Sequence, residues 1–112
     1  MNYNIPEHRA HKLFITARTN ARKLKVPFNL TERFILNKIK TGKCERTNIP
    51  FDFILGKYKR SNPFSPSIDR KNPNNGYTKK NIRVVVWIYN VCKHEWSDAD
   101  VYKLAKGVIK NG

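Results

Sequence analysis

The stretch Ser67–Trp96, SIDRKNPNNGYTKKNIRVVVWIYNVCKHEW, decides how the chain is read. Its lead-in, SPSIDR (65–70), suits a short strand. NPNNGY (72–77) follows, and Asn75-Gly76 within it is a strong turn signal. NIRVVVW, beginning at Asn81, is β-branched and apolar, the composition of a buried strand. From Trp87 the pattern becomes helical. A strand, a turn, a second strand and a helix therefore follow one another without a long break.

On that helix Asn90, Lys93 and His94 fall at i, i+3 and i+4 and share a face, with Trp87 one turn earlier. Ile88, Val91 and Cys92 are then expected to point toward the core. In a hairpin the first strand lies beside the second, which brings Asp69 and Arg70 to the same helix face. Oxygen donors from Asp69 and Asn90 and a nitrogen from His94 would converge there. Such a set suits one hard divalent ion, with positions left for water and phosphate oxygens.

Working outward, EHRAHKLFITARTNARKLK (7–25) reads as a helix. Ala10, Leu13, Phe14, Ala17, Ala21 and Leu24 recur at helical spacing, while Arg9, Lys12, Arg18, Arg22 and Lys25 take the other face. Pro27 is expected to stop it. Residues 1–6 read as a flexible arm. A second helix is expected from Asn29, where Glu32 completes a capping-box spacing, with Gly42 as its stop. CERTNIPFDF (44–53) reads as irregular or briefly extended. The last helix follows Ser97, an N-cap with acids in the first turn and lysines in the last. Val101, Leu104, Ala105 and Val108 share one of its faces.

The chain has 112 residues, enough for one domain with a modest core, and shows no repeats. The expected fold class is α+β, a ββα hairpin-plus-helix core at 44–96. A basic helical part (7–43) precedes it and a C-terminal helix (97–112) follows. The 23 Lys and Arg residues against 8 acids give a net charge of +15. A positive field of that size attracts a polyanion, and nucleic acid leads. No RNA-recognition aromatic pair occurs, so RNA ranks below DNA. Trp87 and Trp96 read as core residues rather than base-stacking platforms.

Cys44 and Cys92 are far apart, belong to no C-x-x-C pair and read as core thiols, so no structural zinc is expected. No apolar run of membrane-spanning length and no apolar signal core is present, so no membrane partner and a cytoplasmic location are expected.

Asp69-Arg70, then Asn81, then Asn90 nine residues on, then Lys93, resembles the HNH endonuclease signature. CERTNIPF followed by NPFSPSIDRKNPNNGYTKKNIRVV is similar to small phage and bacterial HNH-type proteins that carry Asp-Arg in place of Asp-His. The resemblance covers about residues 44–96. It implies a ββα-metal fold that hydrolyses DNA phosphodiester bonds with one divalent ion, Mg²⁺ or Mn²⁺. A monomer would nick one strand per site, in the cytoplasm of a bacterial host if the chain is phage-encoded. Asp69 and Asn90 would be metal ligands, and Asn81 would tie the loop backbone. His94 sits at the offset of the second helical ligand in the toxin branch. Arg70, Lys71, Lys79, Lys80, Lys93, Arg18 and Arg22 would hold the nucleic-acid backbone.

The departure is Arg70, where the family places the histidine that serves as general base. A guanidinium stays protonated and cannot take that role, though it can clamp a phosphate or stabilise developing charge. Either His94 or a metal-bound hydroxide replaces the base, or the fold is kept for binding alone. Each residue also has a plain reading: Asp69 in an ion pair, Asn90 bonded to backbone, Lys93 and His94 solvated.

Overall fold

The computed structural model describes residues 5–53 and 62–112. The first four residues of the expected arm and the basic run at 57–60 lie outside the described residues. Four helices and one two-stranded sheet follow in the order α1 (Pro6–Leu24), α2 (Glu32–Lys40), β1 (Pro66–Arg70), β2 (Ile82–Val86), α3 (Trp87–Lys93) and α4 (Asp98–Asn111). The α+β class and the hairpin-plus-helix core match the expectation from sequence.

The arm ends sooner than read. Pro6 is the first residue of α1, a position where its fixed φ fits and its missing N–H costs nothing. The helix closes at Lys25, in the left-handed region at φ 56°, with Val26 N–H bonded to Ala21 O at 3.0 Å, two residues before Pro27. The start of α2 also differs. Thr31 is the cap, its Oγ1 accepting from Phe34 N at 3.1 Å, and Glu32 is the first helical residue. Asn29 is used elsewhere: its Oδ1 accepts from Lys79 N at 2.8 Å.

The hairpin is antiparallel, with Asp69 opposite Arg83 and Ser67 opposite Val85. All five residues of β2 are buried, as its composition implied. Ile82 and Val84 join Ala10, Ala17, Leu30, Ile35 and Ile39 in a core between β2 and the first two helices. Val85 and Val86 join Cys44 and Tyr89 in a second cluster beside α3. Fully burying side chains such as Ile35 and Ile39 contributes roughly 1.5–3 kcal/mol each.

The 71–81 connection docks on the α1–α2 link. Tyr77 N–H donates to Pro27 O at 2.9 Å and Asn29 N–H to Tyr77 O at 3.3 Å. Gly76 is needed here for room, not for a positive φ: a Cβ at this position would lie 2.3 Å from Pro27 O. The Asn-Gly signal, read as a turn, thus marks a close backbone approach inside a long connection. Among the described residues, no helix is long and apolar enough to cross a membrane.

Candidate functional site

At the loop end of the hairpin, Asn81 clips the connection shut. Its Oδ1 accepts from Asn72 N at 3.1 Å, and its Nδ2 donates to Asn72 O at 3.0 Å and Gly76 O at 2.8 Å. Three bonds from one side chain fix a segment that has no strand ladder of its own. Arg70 leaves the end of β1 and lies over the Tyr77 ring, 4.9 Å from its centroid, with Nη1 donating to Asn75 O at 3.0 Å.

Asp69 sits in the middle of the hairpin–α3 contact and is only 2% exposed. Arg83, opposite it on β2, donates from Nε to Oδ2 at 2.8 Å. Lys93, from the last turn of α3, donates to Oδ1 at 3.1 Å and to Arg70 O at 2.8 Å. Each carboxylate oxygen therefore already faces a cation. Arg83 also grips Asp98 at the start of α4, with Nη1 to Oδ2 at 3.0 Å and Nη2 to Oδ1. Tyr89 OH donates to Asp98, and Arg46 Nε reaches Tyr89 OH at 3.3 Å. One ionic chain thus links Lys93, Asp69, Arg83, Asp98 and Arg46.

The electrostatics follow from this chain. Burial alone would lower the Arg83 pKa, but the hydrogen bonds and charges of Asp98 and Asp69 more than reverse this and hold the guanidinium protonated. The Arg83 hydrogen bond draws the Asp98 carboxyl down to about 2. Burial first, and then the bond to Asp98, raise the Tyr89 phenol.

The helix face pointing inward is not the one expected. Tyr89 and Lys93 are buried, whereas Ile88, Val91 and Cys92, read as core, are exposed. Trp87 and Trp96, also read as core, are 40% and 59% exposed. The cause is the hairpin surface beneath α3, which presents Asp69. A buried carboxylate needs cationic partners more than it needs apolar contact, so the helix turns its lysine in. Lys93, expected on the surface against phosphate, is 1% exposed.

The three expected metal donors are not brought together as a set. Asn90 uses its Nδ2 on Ser67 Oγ and Ile68 O, both at 2.9 Å, and lines a cleft of about 180 Å³ with Thr16, Asn20, Ser67 and Tyr77. His94 lies beyond the helix face, because α3 ends there with φ 48°, and its exposed ring meets the edge of Trp96 at 6.2 Å. Among the described residues, no three His, Cys, Asp or Glu side chains form a metal-holding group. A divalent ion at Asp69 would be a third cation against Arg83 and Lys93. The residues as arranged do not fit the metal that the signature implies.

The other expected phosphate contacts are placed outward. Lys71, Lys79, Lys80 and Arg22 are exposed and Arg18 is half-buried over the Phe14 ring. Docking of the 71–81 loop on residues 27–29 sets Lys79 beside the α1–α2 link, which itself carries exposed Lys25. Arg83 and Asp98 were not singled out from sequence. The available signal was a charged residue, Arg83, inside an otherwise apolar strand.

A two-stranded hairpin clipped by an asparagine, followed by a helix, is an HNH-like fold. It is similar to the solved structure of the rare-cutting HNH restriction endonuclease PacI, described as exhibiting an extraordinary mechanism of DNA perturbation. The TM-score is 0.63 at 17% sequence identity, over 90% of this chain and 77% of that one. No protein-family model matches the chain, and no curated protein matches it in sequence.

Proposed function

We propose that this chain is a DNA-binding protein built on an HNH-like fold, with its acidic centre neutralised by the protein's own cations. The observation that carries this reading is Asp69, buried with one oxygen on Arg83 and the other on Lys93. Arg70, which cannot act as a base, stands next to it. The net charge of +15 supplies the affinity. Exposed Arg22, Lys71, Lys79 and Lys80, with Arg18, are assigned to the phosphate backbone. Contacts of that kind position a duplex without reading its sequence.

A second reading is metal-dependent nicking by an HNH-type endonuclease, using Mg²⁺ or Mn²⁺. Two observations favour it: the solved structure of similar fold is an endonuclease, and Asp69, Asn81 and Asn90 keep the signature spacing. It requires Asp69 to leave Lys93 or Arg83.

A supercoiled-plasmid assay separates the two. The purified protein is incubated with EDTA, Mg²⁺, Mn²⁺ or Ni²⁺, beside Asp69→Ala, and the same samples are run as gel shifts. The expected outcome is a shift in every lane and intact plasmid throughout. For about five phosphate contacts, affinity should fall by two to three orders of magnitude between about 50 and 200 mM salt. Lys79→Glu with Lys80→Glu should weaken binding on all sequences alike. Metal-dependent relaxation that disappears with Asp69→Ala, while that variant still shifts the plasmid, would establish the nuclease instead.

A further inference from the structure

The free edge of β1 opens onto the cleft beside Asn90, and backbone groups there are left over. Lys71 N–H donates to Asn81 O, and hydrogen-bonded positions alternate along an antiparallel pair. Asp69 and Ser67 therefore bond across to β2, while Ile68 turns its N–H and C=O away from it. Val84, opposite Ile68, shows the same alternation. Its N–H donates to Glu45 Oε1 at 2.9 Å and its O accepts from Glu45 N–H at 3.0 Å. On the β1 side, Ile68 O is taken by Asn90 Nδ2. The Ile68 N–H has no partner among the described residues.

Side chains around this donor are also open. Asn90 has committed its Nδ2, which leaves its Oδ1 as an acceptor. Thr16 and Asn20 lie one turn apart on α1 and line the same cleft, and among the described residues neither side chain has a hydrogen-bond partner. The eight lining residues include no charged one, in a chain where 23 of 112 residues are Lys or Arg. A phosphate calls for donors and cations. Donors and acceptors mixed, with apolar and aromatic surface between them, suit the edge and faces of a nucleobase.

We propose that this cleft receives one nucleobase that has left the DNA stack. The inference rests on the DNA-binding reading above and adds to it a contact with a base. A volume of about 180 Å³ lies below the roughly 300–1,000 Å³ of pockets for larger ligands, so a single ring system is the fitting occupant. Leu13 and Tyr77 offer it apolar and aromatic surface. The Asn20 amide has both its donor and its acceptor open, the pair that asparagine uses on adenine. Two cations stand next to lining residues and can hold the flanking phosphates. Arg70 lies over the Tyr77 ring, and exposed Lys23 follows Asn20 by three residues on α1.

The test is fluorescence anisotropy on the full chain with three DNA duplexes of one sequence. One is perfectly paired, one carries a single extra adenine, and one carries an extra abasic site at the same position. Both bulges loosen the duplex, but only the first offers an unpaired base, whose extrusion costs least. The parent should bind the adenine bulge about tenfold more tightly than the abasic bulge, within the range of one bidentate base contact. Asn20→Phe fills the cleft from a half-buried position and should bind the two bulges alike, with helicity unchanged by circular dichroism. Equal affinity of the parent for the two bulges overturns the inference and leaves salt-dependent DNA binding standing. A preference that survives in folded Asn20→Phe overturns it as well, because the base then sits elsewhere. A parent that binds none of the three duplexes overturns the DNA-binding reading and this inference with it.

Discussion

α3 and α4 follow one another in sequence and treat their side chains in opposite ways. The seven residues of α3 bury a lysine and expose Ile88 and Val91, while the fourteen of α4 bury nothing. Hydropathy alone explains neither helix. α3 is oriented by an acid beneath it, and its lysine goes in because Asp69 is already inside. α4 touches the body mainly at its first turn, where Asp98 joins Arg83 and Tyr89. Around α3 and α4 the scarce acids orient surfaces that elsewhere in the chain meet through apolar side chains. Asp69 and Asp98, two of the 8 acids, organise the whole α3–α4 region.

The harshest way to break that comparison is Lys93→Met. If apolar burial governed α3, methionine would be tolerated or welcome. With Asp69 left facing Arg83 alone, we expect a loss of about 3 kcal/mol, at the lower end of what removing one partner of a buried pair costs. In a domain of this size that lowers Tm by roughly 12 °C or more. Asp69→Leu combined with Lys93→Met should recover part of the loss, because no uncompensated charge remains. Thermal unfolding of the two variants checks both. A neutral Lys93→Met would mean that hydropathy, not the acid, sets the helix face.

Asn81→Ala should have the next largest effect. It removes three hydrogen bonds that hold the 71–81 connection and takes the Asn81 partner from Asn72 N–H and Gly76 O, while Asn72 O keeps its bond from Asn75 N–H. A loss of about 2 kcal/mol is expected. Hydrogen exchange should show the change concentrated in residues 71–80, with the β2 ladder retained. Uniform loosening of the whole domain would place the role of Asn81 in the core instead.

The hairpin, the helices and their order were legible in sequence because each rests on local signals: β-branched runs, caps and turn residues. The loop clip was legible through the resemblance that singled out Asn81. The inward face of α3 was not. Reading Ile88 and Val91 as core assumes that burial follows hydropathy, and no local pattern reveals a carboxylate brought from twenty-odd residues upstream. The end of α3 at Lys93 was equally hidden, so His94 was placed on a helical face that stops one residue short of it. Arg83 was visible as a charge in an apolar strand. Its two partners, one opposite in the hairpin and one fifteen residues on, are tertiary facts.

The gentlest perturbation acts on the joint between the two regions. Arg83 holds the Asp98 carboxyl at about 2, against an ordinary value of 3.8. A carboxyl whose folded-state pKa is depressed contributes stability above its unfolded pKa and loses it as pH falls through the folded one. The contribution of Asp98 should therefore be whole above about pH 4 and vanish toward pH 2. Its side chain is 39% exposed, so solvent screening reduces the contribution to about 1 kcal/mol. Comparing Tm for the parent and Asp98→Asn from pH 5 downward isolates it from the other acids. The gap between the two should close across that window. A gap that stays constant would mean that Asp98 anchors α4 by hydrogen bonds that survive its neutralisation, and that the two regions are joined by shape more than by charge.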